Sequence, residues 1–151
     1  MTEATAYPLH DVQTLYQALL DAWNHRDAAA FAELFTPEGH AVGFDGSEMD
    51  GPDEIRSSLE GIFADHQTAT YVGKIRSVRR VGEAALLLAV AGMIPPDGTD
   101  LNENLAIQSM VALPRDGAWR TVLWHNTPAA FDGRPDAREA LKNELRALIP
   151  R

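Results

Sequence analysis

Apolar residues near the start of the chain recur at the spacing of an α-helix. They fall at i, i+3, i+4, i+7 and i+11 and so form one stripe on a helical surface: Val12, Leu15, Tyr16, Leu19 and Trp23. Asp27 can cap a second, short helix that Pro37 and Gly39 end. A third helix is predicted from Pro52, which suits a first helical turn, to about His66. The first part of the chain is therefore predicted to be mainly helical.

The sequence that follows, as far as Pro128, is rich in β-branched residues and predicts a run of long strands. The predicted long strands are Thr70–Val81, Ala84–Ile94, Leu105–Leu113 and Trp119–Thr127, and a short strand, His40–Asp45, precedes the third helix. Alternation slips within the first long strand, because Tyr71 and Ile75 are out of phase with Val72 and Val78. This slip predicts a β-bulge in that strand.

The order of these elements predicts an α+β fold. An antiparallel sheet with its helices gathered on one face is a common arrangement of such elements. We expect one domain, residues 1–151, with a core at about 8–128 and a C-terminal helix at about 135–149. A curved sheet around the first long helix leaves a cone-shaped hollow between them, which is a natural site for a small ligand.

Composition and charge narrow the classes of partner. The chain has 151 residues, 45% hydrophobic and 23% charged, as in ordinary globular proteins. Its net charge of -9 disfavours binding to nucleic acid. The absence of cysteine excludes disulfides and thiolate metal sites. No apolar run reaches the roughly 18 residues of a spanning helix, so no membrane partner is expected. The N-terminal segment MTEATAYPLHD lacks the pattern of a secretory signal, which predicts a cytoplasmic location.

Asp45 is the candidate whose environment decides most about the chemistry. It follows an apolar run and precedes Gly46, so it can simply end the strand in a turn. It can also enter the apolar hollow, where desolvation raises the pKa of a carboxyl group toward that of a catalytic general base. Both interpretations remain open, and a turn residue can also line a pocket.

The last two strands supply the other polar candidates. If Asp116-Gly117 forms a two-residue turn, Gln108 lies opposite His125 and Ser109 lies opposite Trp124. Both faces of this hairpin are then largely apolar, so both need a cover. Helices can cover one face and a second copy of the protein the other, which predicts a homodimer through the sheet.

The histidines do not predict a metal site. The chain has five histidines, but it contains no i, i+4 histidine pair and no HExxH motif. His125 could act as a general base, although a histidine among apolar residues is more often a core or interface residue. No glycine-rich phosphate motif occurs either, so no cofactor is expected.

Three stretches carry a resemblance to a known group: "ALLDAWNHRDAAAFAELFTPEGHAVGFDG", "GPDEIRSSLEGIF" and "IQSMVALPRDGAWRTVLWHNT". The chain resembles the SnoaL-like, nuclear transport factor 2-like superfamily and, within it, the SgcJ/EcaC family. The resemblance implies a cystatin-like topology, a cone-shaped α+β barrel in which a curved, mostly antiparallel sheet wraps around the N-terminal helices. Members include isomerases, epoxide hydrolases, cyclases and binding proteins without catalysis, so the resemblance implies a fold rather than a reaction.

Ketosteroid isomerases within this superfamily use a tyrosine, a base and a protonated acid. The corresponding positions here are Leu19, Gly43 and approximately Ser109, so steroid isomerase chemistry is not implied. Asp45 lies two residues beyond the position of the base, and alternation returns it to the same face of the strand.

The superfamily arrangement also assigns faces to the polar candidates. It implies that Ser109, Trp124 and Asn126 face the hollow, while Gln108 and His125 face the dimer contact. The expected pocket is lined by aromatic, aliphatic and small polar side chains: Tyr16, Leu19, Trp23, Leu59, Phe63, Ser109, Trp124 and Asn126.

Three functions fit these observations. The first is a small-molecule binding protein with an apolar pocket. The second is a cofactor-independent isomerase, cyclase or hydrolase in which Asp45 is the base and Asn126 or Ser109 orients the substrate. The third is a dimeric interaction module whose hollow is filled by its own side chains.

Overall fold

The computed structural model describes residues 7–150 of the chain. The helices are His10–Asn24 (α1), Ala28–Ala32 (α2), Pro52–Asp65 (α3) and Pro135–Arg146 (α4). The strands are Phe35–Val42 (β1), Glu48–Asp50 (β2), Thr70–Val81 (β3), Ala84–Ile94 (β4), Leu105–Arg115 (β5) and Ala118–Pro128 (β6). Residues 1–6, part of the segment behind the prediction about secretion, lie outside the described residues. Among residues 7–150, none of the helices combines the length and the apolarity needed to cross a lipid bilayer.

The first two helices form largely as their local sequence predicts. The apolar stripe of α1 is buried from Val12 to Leu19. Asp27 caps α2, because its side chain accepts a hydrogen bond from the Ala30 amide at 3.0 Å. The prediction that Pro37 and Gly39 end this helix is wrong, since α2 already ends at Ala32 and both residues lie within β1. Pairing between β1 and β6 is irregular over this part of β1, and such a segment tolerates a proline.

The strands form one six-stranded sheet in the order β2-β1-β6-β5-β4-β3. Neighbouring strands run antiparallel except β1 and β6, which are parallel. The sheet is curled but does not close on itself, and its inner face packs against α1, α2 and α3. The main core lies between these layers. The fold is thus mixed α+β, as the order of predicted elements indicates.

The predicted bulge in β3 is present. Ile75 pairs with Ala89 and Ser77 pairs with Leu88, so Arg76 is the extra residue. After this bulge Val78 joins Tyr71 and Ile75 against the main core. One inserted residue therefore reconciles the two alternation phases of this strand.

A second bulge, in β6, corrects the predicted pairing of the last hairpin. The two-residue turn is present, because Arg115 pairs directly with Ala118. Further along, Ala112 pairs with Thr121 but Val111 pairs with Leu123, which leaves Val122 as the extra residue. The pairs beyond this point are shifted by one residue relative to the prediction.

Because of this shift, the two faces of β5 are exchanged relative to the prediction. Gln108 lies opposite Asn126 rather than His125, and Ser109 lies opposite His125 rather than Trp124. Gln108 is completely buried on the inner face, so its predicted place at a dimer contact is wrong. Ser109 shares the outer face with His125, so its predicted place in the hollow is also wrong.

Helix α4 covers part of the outer face of the sheet. Leu141 and Leu145 form a second apolar cluster with Val90 and Leu105. Glu144 adds ion pairs with two cations of β3, at 3.0 Å from Lys74 Nζ and 2.5 Å from Arg76 Nη1. The helix ends at Arg146, slightly before the predicted end.

Candidate functional site

A cavity of about 650 Å³ opens between the inner face of the sheet and the helices α1 and α3. Most of its wall is made of large apolar side chains: Leu19, Leu20, Trp23, Phe31, Phe44, Met49, Leu59, Ile62, Met93 and Trp124. Several exposed polar residues surround its mouth: Asp45, Ser47, Glu48, Ser57, Asp65 and His66. Gln108, Asn126 and Tyr71 are the polar side chains at its inner end. This volume suits a small organic molecule.

Four side chains form a continuous hydrogen-bonded chain at the inner end of the cavity. The Tyr16 hydroxyl donates to Gln108 Oε1 at 2.6 Å. Gln108 Nε2 donates to Asn126 Oδ1 at 3.3 Å, and Asn126 Nδ2 donates to the Tyr71 hydroxyl at 2.8 Å. We call these four residues the polar chain. Tyr16 lies behind the cavity wall, whereas Tyr71 lines the cavity.

The backbone of Tyr71 is held by the last residue of α1. Asn24 Oδ1 accepts from the Tyr71 amide at 2.9 Å, and Asn24 Nδ2 donates to the Tyr71 carbonyl at 3.1 Å. The ring of Trp23 meets the Tyr71 ring edge to face, with centroids 5.7 Å apart. These contacts give the Tyr71 side chain a defined position at the start of β3.

Burial disfavours the ionised form of both phenols in the polar chain. Desolvation raises the pKa of Tyr16 well above its ordinary value. Desolvation also raises the pKa of Tyr71, partly opposed by the hydrogen bond from Asn126. A tyrosine hydroxyl is protonated at physiological pH even at its ordinary pKa of about 10, so both groups can donate hydrogen bonds.

Asp45 lies at the mouth of the cavity in a turn. Its Oδ1 accepts from the Ser47 amide at 3.0 Å, which is the usual role of an aspartate in a turn. The side chain is exposed, and the hydrogen bond from the Ser47 amide lowers the pKa of its carboxyl group. Of the two interpretations that the sequence left open, the turn is present and the desolvated carboxyl group of raised pKa is not, because the carboxylate remains exposed to water.

Some of the other predicted pocket residues line the cavity and others do not. Leu19, Trp23, Leu59, Trp124 and Asn126 line the cavity. Tyr16 reaches the cavity only through Gln108. Phe63 packs against Trp23, with ring centroids 5.1 Å apart, and is not part of the cavity wall.

Sequence reasoning missed Gln108 and Tyr71 as cavity residues. The signal for Tyr71 was its phase with Ile75, which places both on the inner face. The signal for Gln108 was its alternation with Met110 and Ala112, but the face of this set depends on the bulge at Val122. For metals, residues 7–150 contain no group of three or more histidine, aspartate or glutamate side chains that could hold an ion.

The SnoaL-like domain family matches residues 12–130, which is most of the chain. The chain belongs to this family. No protein of curated function is detectably similar in sequence to it. Family membership agrees with the curled sheet, but it does not assign a reaction.

Solved structures with the same fold come from several bacteria. A domain of unknown function with a cystatin-like fold from Nostoc punctiforme has a TM-score of 0.74 and 21% identity, over 91% of this chain and 93% of that one. A nuclear transport factor 2-like protein from Novosphingobium aromaticivorans has a TM-score of 0.69 and 14% identity, over 85% and 86%. A ketosteroid isomerase-like protein from Erwinia carotovora has a TM-score of 0.66 and 16% identity, over 81% and 96%. At these identities the similarity establishes the fold.

Proposed function

We propose that the protein binds a small organic molecule in the cavity between the sheet and α1. The observation that carries this proposal is an open cavity of about 650 Å³ with aromatic walls and a buried polar chain at its inner end. Apolar walls with a few well-placed polar groups are the usual composition of ligand sites. The motifs shared with the SgcJ/EcaC family support placing the chain in that branch, which suggests no particular substrate.

The two alternatives have less support. An acid-base enzyme with Asp45 as its base requires a carboxylate of raised pKa, whereas this one is exposed and its pKa is lowered. Asn126 could still orient a substrate, as it lines the cavity. An interaction module with a filled hollow requires side chains where the cavity is open.

The binding proposal can be tested by filling the cavity from a position that has room. Gly61 lies on α3 at the cavity wall, and an added Cβ there meets no atom within 4 Å. We expect Gly61→Trp to narrow the cavity and to weaken binding of the neutral dye Nile red, measured by fluorescence titration. Arg56→Trp, on the same helix but outside the cavity wall, is the matched control and should bind as the wild type does.

The same protein should be purified without additives and examined by native mass spectrometry for a co-purified molecule. If neither Nile red nor a co-purified compound binds to the wild type, the proposal is wrong. If Gly61→Trp and Arg56→Trp bind Nile red equally well, the dye does not occupy this cavity, and its binding does not support the proposal.

We also propose a homodimer through the outer face of β4, β5 and β6. Helix α4 covers the outer face nearer β3, while Leu86, Leu88 and Leu123 keep partial exposure and Ile107 is 38% exposed. His125 belongs to this outer face, whereas Gln108 does not. Apolar sheet faces of this kind are covered in stable proteins.

Light scattering at micromolar concentration tests the dimer. We expect Ile107→Lys to convert the dimer to a monomer, because a charge would be buried at the contact. Val81→Lys, at a residue that is 58% exposed at the end of β3, should leave the dimer intact. A wild-type monomer at this concentration would contradict the proposal.

A further inference from the structure

We infer that the ligand is an uncharged aromatic compound with a carbonyl or similar acceptor oxygen, and that this oxygen accepts a hydrogen bond from Tyr71. The inference rests on the proposed function and names the class of molecule that the cavity takes. Three observations carry it: the direction of the polar chain, the charges at the mouth and the aromatic walls.

The direction of hydrogen-bond donation along the polar chain depends on which of the two tyrosine hydroxyls can keep a hydrogen that no other protein group accepts. With Tyr16 donating to Gln108 Oε1, each amide in turn donates to the next acceptor, and the last donation reaches the Tyr71 oxygen. In this direction the hydroxyl hydrogen left over is that of Tyr71, beside the second N–H hydrogen of each amide. Tyr71 lines the cavity, where water or a ligand can accept this hydrogen.

Donation in the opposite direction along the polar chain is energetically unfavourable. Flipping both amides would make Tyr71 the first donor and would leave the Tyr16 hydrogen without an acceptor. Tyr16 is fully buried, and Gln108 is its hydroxyl's partner among the hydrogen bonds of residues 7–150. A buried donor without a partner is strongly unfavourable, so the polar chain presents its free hydroxyl hydrogen at Tyr71.

The charges at the mouth disfavour anionic ligands. Asp45, Glu48 and Asp65 line the cavity there, and the described lining includes no lysine or arginine. His66 is the one histidine among the described lining residues. A carboxylate or phosphate ligand would therefore meet repulsion without a fixed cation to pair with. An uncharged molecule avoids this repulsion.

The walls favour a flat ligand body. Trp23, Phe31 and Trp124 all line the cavity. The rings of Phe31 and Trp124 stand nearly perpendicular, at 82°, with centroids 6.5 Å apart. Such rings offer both faces and edges to an aromatic ligand.

Three naphthalene probes of nearly equal shape test the inference. 2-Acetylnaphthalene carries the acceptor oxygen, 2-isopropenylnaphthalene replaces that oxygen by a methylene group, and 2-naphthoate carries a negative charge. Dissociation constants are measured on the full chain by fluorescence or calorimetric titration. We expect the ketone to bind about fivefold more tightly than the hydrocarbon, as one hydrogen bond of about 1 kcal/mol implies, and the naphthoate to bind most weakly.

The variant Tyr71→Phe separates the hydrogen bond from the shape of the cavity. We expect it to bind the ketone and the hydrocarbon equally, while the affinity for the hydrocarbon stays at the wild-type value. A merely structural role of Tyr71 would change both affinities together. Tyr7→Phe, the same change in a residue outside the cavity wall, is the control and should preserve the fivefold difference.

Substitution of acidic residues at the cavity mouth tests the effect of charge separately. Asp45→Asn combined with Glu48→Gln should strengthen binding of 2-naphthoate relative to binding of the ketone. Asp53→Asn, at an exposed residue of α3 outside the cavity wall, is the control and should change neither affinity.

The outcomes distinguish the inference from the proposed function. If ketone and hydrocarbon bind equally to the wild type, or if the difference persists in Tyr71→Phe, the inference is overturned while binding in the cavity stands. If the naphthoate binds as tightly as the ketone, the argument from charge is overturned. If none of the three probes and no Nile red binds, the proposed function is overturned together with the inference.

Discussion

Gly73 leaves the space that the hydroxyl of Tyr16 occupies. A Cβ added to Gly73 would overlap the Tyr16 hydroxyl oxygen and would lie 2.7 Å from Leu20 Cδ1. Gly73 is on β3, two residues after Tyr71, and the hydroxyl it accommodates is the buried end of the polar chain. The absence of a side chain at this position therefore allows α1 to approach the sheet closely enough to connect Tyr16 with Gln108.

We predict that Gly73→Ala destabilises the protein by about 2 kcal/mol, because a methyl group is forced into a packed core. Urea denaturation monitored by circular dichroism measures the change in the free energy of unfolding. Gly61→Ala is the matched control: it lies in α3 with open space around its added Cβ. It should stabilise the protein by about 0.5–1 kcal/mol, since alanine is the better helix former.

The clash can be assigned to the hydroxyl by combining variants. In a Tyr16→Phe background the oxygen is absent, so Gly73→Ala should be less destabilising than in the wild type. The contact with Leu20 remains, so the penalty should not disappear. Additive effects of the two substitutions, within about 0.5 kcal/mol, would show that the hydroxyl is not the group that the methyl meets.

Tyr16→Phe by itself should destabilise the protein by about 1–3 kcal/mol. The substitution removes the donor to Gln108 Oε1 and leaves that fully buried oxygen without its partner. The measurement is again urea denaturation. Tyr7→Phe should have little effect, because the hydroxyl of Tyr7 makes no hydrogen bond among those of the described residues. An equal loss in both variants would contradict the role of the buried bond.

His40 should titrate above the ordinary value for histidine. Its Nε2 lies 3.0 Å from Glu48 Oε1 and its Nδ1 lies 3.4 Å from Asp50 Oδ1, and the hydrogen bond with Glu48 is the largest cause of its raised pKa. We predict that Glu48→Gln lowers the His40 pKa, measured by NMR titration of the imidazole protons. Glu60→Gln, in α3, should leave this pKa unchanged.

The sign of the effect on stability follows from the direction of this shift. A raised pKa in the folded state means that protonated His40 stabilises the β1-β2 hairpin fully below its unfolded pKa of about 6.5. This contribution disappears as the pH rises through the higher folded pKa. The stability difference between wild type and Glu48→Gln should therefore shrink with rising pH. A difference that grows over the same interval would contradict the assignment.

Glu144 should hold α4 against the outer face of the sheet. Hydrogen bonds with Arg76 and Lys74 lower the pKa of Glu144 from 4.5 to about 2. We predict that Glu144→Gln accelerates amide hydrogen exchange in α4 at neutral pH, measured by mass spectrometry. Glu139→Gln, on the same helix and without an ion pair among the described residues, should exchange as the wild type does.

The pH dependence of this anchor runs opposite to that of His40. A lowered carboxyl pKa means that the stabilisation by Glu144 is present above about pH 4.5 and is lost as the pH falls through about 2. The difference between wild type and Glu144→Gln in unfolding free energy should shrink over that interval. A difference that keeps its full neutral-pH size down to pH 2 would indicate that the side chain acts by packing rather than by charge.

Local features of the chain could be predicted because their causes are local. The apolar stripe of α1, the cap at Asp27 and the turn at Asp116-Gly117 depend on residues within a few positions of one another. The bulge in β3 was also predictable, because the apolar residues on either side of Arg76 change phase within the strand itself.

The face that each polar residue presents was decided by contacts between distant strands. An extra residue at Val122 is accommodated where β6 lies between β1 and β5, within an apolar run, Val122-Leu123-Trp124, that does not show which residue is the extra one. This one residue brings Gln108 to the cavity and sends Ser109 to the outer face. The exposure of Asp45 likewise depends on how the β1-β2 turn projects from the cavity mouth. Strand alternation has a period of two, so an error of one residue in register exchanges the interior and exterior of a strand, and only the packed sheet removes that ambiguity.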